Sequence, residues 1–333
     1  MKPKAGIINN KQKTKALIAT SFVVIGIVSA VVGIAPSVVC AQTAPVTCPA
    51  FGLERTTTYN LQGGAYAYGY AVATDSANNT YVTGEQYAPA TGLDMYVIKY
   101  DQNGNVVWSD VYDVVTAGVS GNESGYGIAV MPDGSAVYVV GRQQDNASLN
   151  SDAFVRKYDA TGAVVWTQVY DSGGAGADIA RGAALDSAGN VYAAGYREKA
   201  GGGIEAMLLS YTAAGGSRFA VAYTVTNNAS AFGVAVSGTA VYMTGYTQTT
   251  GINTDMFVRK YNTAGVLMTT FGTSGMVTYD SLTTMPKTTK STTGAVWAYC
   301  PSGSTMMNAT STGTGVITTD IPANGCRGTD AVG

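Results

Sequence analysis

The chain has 333 residues, 46% of them hydrophobic and only 12% charged, with 19 basic against 21 acidic residues and a formal net charge of −2. It holds 42 glycines, 22 tyrosines and no histidine. The weak, slightly acidic charge argues against a nucleic-acid partner, and the missing histidine removes Ser-His-Asp and Cys-His catalysis together with His-containing zinc sites.

At the N-terminus, Lys2, Lys4, Lys11, Lys13 and Lys15 precede an uncharged apolar run over 16–35, and Val39, Cys40 and Ala41 place a small residue before Gln42. This layout predicts a secretory signal peptide over 1–41 and a secreted or cell-surface protein. The run is long enough to span a bilayer, so an uncleaved anchor is the rival reading and the one route to a membrane contact. A linker is expected over 42–54.

Residues 55–280 repeat one pattern four times. Tyr81, Tyr138, Tyr192 and Tyr242 mark one register and Tyr100, Tyr158, Tyr211 and Tyr261 a second, with spacings of 57, 54 and 50 residues along the first set. A period of this size means units that bury their apolar faces only against one another. Apolar alternation with period two, broken by Gly, Asn and Asp, predicts short antiparallel strands and no long helix. In the first complete unit, strand a falls at 70–74, b at 80–83, c at 95–100 and d at 106–112. Gly104, Gly162, Gly215 and Gly265 recur in the c-d turn, where a positive φ closes a tight hairpin. The b-c connections (85–93, 142–151, 196–204, 246–254) and the d-a connections (114–124, 172–177) differ between units, and variable loops on a rigid scaffold are where binding usually resides. The expected fold is therefore all-β, a β-propeller of four-stranded antiparallel blades.

A Thr/Gly-rich segment over 281–333 follows, with strands expected at 295–299, 305–309 and 315–319 as a fifth, degenerate blade. Residues 55–60 read as an isolated strand d that would complete a blade from the other end of the chain. Beyond the leader the cysteines are Cys48, Cys300 and Cys326. Export permits a disulfide, for which Cys300 with Cys326 is the most economical choice, while Cys48 with either of them stays open.

Residues 186–195, Asp-Ser-Ala-Gly-Asn-Val-Tyr-Ala-Ala-Gly, and 164–170, Val-Val-Trp-Thr-Gln-Val-Tyr, resemble the bacterial β-propeller repeat called the SBBP repeat. The fourth unit, through 261–267 and 271–278, is similar to the delta-60 type of repeat. The resemblance covers roughly 55–280. It implies an exported or surface propeller and brings no catalytic residues.

The candidate chemistry lies in carboxylates. Asp75, Asp133 and Asp186 recur near the a-b turn and Asp101 and Asp159 open the c-d turn, where Asp side chains ordinarily bond their own backbone. Residues 101–105 also offer oxygens on alternate positions for calcium, but lack the closing bidentate acid. Asp94, Asp152, Glu205 and Asp255 recur at the start of strand c, where they are expected either to cap the loop backbone or to ring the channel mouth and hold a ligand. No cofactor is called for. Two functions follow. The first is a non-enzymatic module binding a protein or a cell-surface glycan through its variable loops. The alternative is a polysaccharide hydrolase or lyase using the acids at the mouth.

Overall fold

The structure is a computed structural model that describes residues 66–279, apart from 117, 145–149, 175, 200 and 249–253, and the strand backbones of 295–299, 305–309, 315–319 and 329–332. The expected leader, linker, isolated strand at 55–60, Cys48, Cys300 and Cys326 lie outside the described residues.

Every regular element among the described residues is a strand. Sheet 1 is a meander of β1 (Ala67–Thr74), β2 (Thr80–Ala88), β3 (Gly92–Tyr100) and β4 (Val106–Tyr112). A two-stranded hairpin, β5 (Val115–Thr116) and β6 (Val119–Ser120), then leads to sheet 2, built from β7 (Ser124–Val130), β8 (Ala136–Gln144), β9 (Ser151–Asp159) and β10 (Val164–Tyr170). Sheet 3 contains β11 (Ile179–Leu185), β12 (Val191–Glu198), β13 (Ile204–Tyr211) and β14 (Ser217–Tyr223), and sheet 4 contains β15 (Ala229–Ser237), β16 (Ala240–Thr247), β17 (Asp255–Asn262) and β18 (Met276–Tyr279). A further sheet runs in the order β21 (Gly315–Thr319), β20 (Thr305–Ala309), β19 (Ala295–Tyr299), β22 (Thr329–Val332). Successive sheets pack through their first strands, β1 beside β7, β7 beside β11 and β11 beside β15, and β22 lies beside β15.

The repeated tyrosines are the core of this stack. Tyr81, Tyr138 and Tyr192 are fully buried, and each meets an aromatic ring from strand d of its own sheet. Trp108 of β4 also packs on Tyr158 of sheet 2, centroids 5.8 Å apart, and Trp166 of β10 on Tyr211 of sheet 3 at 6.2 Å. The c-d turn glycines do have positive φ, and they do a second job. A Cβ on Gly162, Gly215 or Gly265 would lie 2.6, 3.0 or 2.7 Å from the Trp108, Trp166 or Phe219 ring of the preceding sheet. Each turn is thus a lid on its neighbour's aromatic side chain.

Lys157 likewise crosses to sheet 3, its ammonium donating to the Ala213 carbonyl at 2.7 Å. Where Ser210 replaces that lysine in the third unit, Arg218 of β14 makes the equivalent bond, to the Thr263 carbonyl of sheet 4 at 2.8 Å. A cation is kept at each of these two junctions, although it moves from strand c to strand d.

The a-b turns follow the expected Asp logic. Asp186 accepts from the N–H groups of Ala188 and Asn190, from the Asn190 amide and from the Tyr192 hydroxyl, all within 3.1 Å. Burial pushes its carboxyl up, but the bonds from Asn190, Tyr192 and Ala188 outweigh that and hold it below the usual 3.8. A folded-state pKa below the unfolded value adds stability above pH 3.8 that is lost as pH falls through the folded value. Asp186→Ala is expected to lower stability by about 2 kcal/mol at neutral pH and to flatten the acid loss, as read from urea midpoints between pH 2 and pH 7.

One expectation is corrected. In the first unit the residues read as the b-c loop are largely strand: β2 runs on to Ala88 and β3 begins at Gly92, with Gln86 opposite Asp94 and Tyr87 opposite Leu93. The polar residues that suggested a loop are paired inside the ladder. Glu85, for example, is buried and accepts from the Tyr70 and Ser124 hydroxyls at 2.7 and 2.6 Å. In sheet 3 the same connection shrinks to the five residues 199–203.

Candidate functional site

Each first strand carries a β-bulge at the same place, between Gly69 and Ala71, Gly125 and Gly127, Ala180 and Gly182, and Ala231 and Gly233. The extra residue is Tyr70, Tyr126, Arg181 or Phe232. A bulge leaves its residue out of register and re-aims its side chain. Because the bulged strands are those through which the sheets pack, these four side chains meet in pairs. The Tyr70 and Tyr126 rings are 5.3 Å apart, and the Arg181 guanidinium lies 5.0 Å from Phe232 and 5.2 Å from Tyr196. Tyr246 packs on Phe232 at 5.7 Å, and Tyr68 stacks on Tyr70 at 6.5 Å. All four bulge residues are half-buried, while Tyr66 and Tyr68 are 46% and 54% exposed. The Tyr70 hydroxyl is fixed by Glu85, and burial followed by that bond raises its pKa.

The four acids expected at the start of strand c sit one per sheet, all on the third strand. Asp94 and Glu205 are buried, Asp152 and Asp255 half-buried. Glu205 is paired with Arg197 on the neighbouring strand, N···O 2.7 Å, and also takes the Thr224 hydroxyl. Arg197 bonds the Tyr170 hydroxyl of sheet 2 as well, at 2.6 Å. The strands shared between sheets therefore present aromatic groups and an arginine, while these acids stand two strands away. Asp101 spends its carboxylate on the N–H groups of Asn103 and Asn105 and the Asn105 amide, as a turn Asp does.

Asp94 has company of another kind. One oxygen each of Asp94, Asp113 and Glu123 come within 4.8 Å of one another. Asp113 follows β4 and Glu123 precedes β7, so the β5–β6 hairpin brings them together at its base. Glu123 is fully buried, and burial pushes its carboxyl up to about 8, opposed by the Val114 N–H and reinforced by the negative charge of Asp113 and Asp94. Burial also raises Asp94, opposed by the Thr91 hydroxyl, with the charge of Asp113 adding to the shift.

Between sheets 3 and 4 lies a polar cleft of ≈ 510 Å³ lined by Lys199, Thr226, Asn228 and Gln248 among others. The Lys199 ammonium is already bonded to the carbonyls of Val225, Thr226 and Asn227, so the cleft offers amides and hydroxyls more than charge.

Neither the bulge residues nor the pairing of Asp113 with Glu123 was expected from the sequence. The bulge residues are three aromatics and an arginine, and their shared position shows only as the residue just before Ala71, Gly127, Gly182 and Gly233.

No family model matches this chain, and no curated protein matches it in sequence. Among solved structures it is similar to the endo-arabinase from Bacteroides thetaiotaomicron VPI-5482, with 11% identity over 76% of this chain and 94% of that one and a TM-score of 0.35. It is also similar to a crystal structure described as the eukaryotic initiation factor, with 10% identity over 60% of this chain and a TM-score of 0.30. The chain spans about half of that second structure, 54% of its length. Neither likeness is close enough to bear on fold closure or activity. Among the described residues no helix is long and apolar enough to cross a membrane.

Proposed function

We propose that this chain is an exported β-propeller of the SBBP-repeat kind, with the C-terminal sheet as a degenerate fifth blade, that works as a non-enzymatic binding module for a cell-surface or extracellular glycan. Export is supported by the lysine-rich start and the apolar run over 16–35. The propeller is supported by meander sheets packed in succession through their first strands. The observation that carries the binding reading is the set Tyr70, Tyr126, Arg181 and Phe232, held half-buried on rigid strands where the sheets meet. Sugar rings stack on aromatic faces and their hydroxyls accept from guanidinium groups. Binding rather than hydrolysis is favoured because Glu85 and Glu205 are already committed to hydrogen bonds and an ion pair.

Thermal unfolding of the chain against a panel of oligosaccharides tests this. A ligand at about a hundred times its Kd adds roughly 2.7 kcal/mol, a readily measured rise in Tm. Tyr126→Ala and Arg181→Ala are each expected to weaken the glycan that gives the rise by about tenfold, which corresponds to roughly 1.4 kcal/mol. A rise that is the same in both variants would place the site elsewhere, and no rise with any glycan would turn the search to a protein partner.

A further inference from the structure

We propose that Asp94, Asp113 and Glu123 form a binding site for a hard divalent cation of calcium's size, which pins the base of the β5–β6 hairpin to sheets 1 and 2. In each of the three carboxylates one oxygen takes a hydrogen bond, with further support to Asp94 from the Gln86 amide and to Glu123 from the Gln144 N–H. Asp94 Oδ2 takes the Thr91 hydroxyl at 2.8 Å, Asp113 Oδ2 the Ser120 hydroxyl at 3.4 Å and Glu123 Oε2 the Val114 N–H at 3.2 Å. The other oxygens, Asp94 Oδ1, Asp113 Oδ1 and Glu123 Oε1, are buried with no hydrogen-bond partner. Asp94 is 3% exposed and Glu123 0%, so water does not serve these atoms from outside. Buried polar atoms are ordinarily satisfied, and three unpartnered carboxyl oxygens converging on one point are an unfavourable arrangement that a bound cation would relieve.

The third repeat shows how the same position is settled from within the chain. The residue opposite Asp94 is Gln86, and the residue opposite Glu205 is Arg197. Asp113 follows Tyr112 at the end of β4, and Thr224 follows Tyr223 at the end of β14. Glu123 lies four residues before Gly127 of the bulge, and Ala229 four before Gly233. Sheet 3 therefore answers one acid with its own guanidinium, a hydroxyl and a methyl group. Sheet 1 sets three acids there and a neutral amide across the ladder. The positive charge that sheet 3 supplies as Arg197 is supplied to sheet 1 by an ion.

The donor set selects the ion. Carboxylate oxygens suit hard cations, and calcium, with bonds of roughly 2.4 Å, is bridged by oxygens up to about 4.8 Å apart on opposite sides, whereas magnesium demands a tighter octahedron near 2.1 Å. The oxygens of the trio lie within 4.8 Å of one another, inside the span that calcium bridges. Soft or imidazole-seeking metals find no ligand of their own kind there.

The test is calorimetric titration of the full chain, stripped with EDTA, with calcium chloride and separately with magnesium chloride. One calcium per chain is expected, bound at least tenfold more tightly than magnesium and accompanied by a rise in Tm that EDTA reverses. Glu123→Gln and Asp113→Asn, which keep size and remove charge, should each weaken calcium by tenfold or more while leaving the EDTA-treated chain folded with an unchanged or higher Tm. Asp101→Asn, in an exposed turn, should leave calcium binding unchanged. The proposal is overturned if neither ion binds the unmodified chain, if magnesium is preferred, or if calcium binding survives both charge-removing variants.

Discussion

Gly195→Ala is expected to destabilise the protein by at least about 3 kcal/mol, enough to remove much of the 5–15 kcal/mol that holds a typical domain folded. A Cβ on Gly195 would lie 1.9 Å from the Ile179 carbonyl oxygen and 2.9 Å from the Ala180 Cα. Both obstacles are backbone, so no rotamer change relieves them. The same close approach occurs at Gly84, Gly141 and Gly245, where the nearest atom is again a carbonyl oxygen of strand a, at 1.8 to 1.9 Å. In each sheet this glycine faces the residue just before the bulge, and the bulge draws strand a tightly over it. The substitution thus acts on the device that aims Tyr70, Tyr126, Arg181 and Phe232. Gly173→Ala makes the contrast, because its φ is +80° but nothing lies within 4 Å of the added Cβ. It should lose only about 1–2 kcal/mol, the ordinary cost of a left-handed non-glycine residue. Urea unfolding of both variants reads the difference, and equal losses would mean that backbone conformation, not close approach, fixes these glycines.

Arg197→Met is expected to lower stability by about 2–3 kcal/mol, and Arg197→Met with Glu205→Met to recover most of that loss. Glu205 is buried and gets its charge balance from Arg197 at 2.7 Å, so removing the arginine alone leaves a carboxylate with one hydroxyl for company. Breaking a buried ion pair by one partner typically costs 3–5 kcal/mol, whereas replacing both partners by apolar groups is often neutral. The figure is reduced here because the Arg197 side chain is 29% exposed and water compensates part of its loss. A non-additive cycle of this size would show that the pair neutralises a buried acid, the role assigned to a bound cation in sheet 1. Additive losses would mean that Arg197 acts through its bond to Tyr170 instead.

Much of this architecture was legible in the sequence, for reasons that differ by element. β4 falls at Val106–Tyr112 as the alternation predicts, because its turn residues and its Trp108 recur in a simple register. The register that Tyr81, Tyr138 and Tyr192 mark in the sequence is also where the core lies, since a large side chain repeated at one strand position packs the same way each time. The extent of β2 and β3 was not legible, because Glu85, Gln86 and Asp94 look like loop residues until their ladder partners and hydrogen bonds are seen. The exchange of Lys157 for Ser210 in the third unit hides a kept contact, because Arg218 makes the equivalent bond from a different strand. The acidic trio was hidden although its members share positions with the second repeat, Asp113 with Asp171 after the last tyrosine of strand d and Glu123 with Asp178 four residues before the bulge glycine. What no period reports is the hairpin between Asp113 and Glu123, found in one repeat among the described residues, which brings both acids to Asp94.

The central claim is that the chain binds a glycan at the bulge residues without cleaving it. The most direct measurement incubates the full chain with the glycan that raises its Tm, and follows bound glycan and new reducing or unsaturated ends in the same sample. The account predicts saturable binding that Arg181→Ala weakens and no new ends over many hours. New ends that accumulate with time and vanish in Asp152→Asn would contradict it and make the protein a polysaccharide-cleaving enzyme.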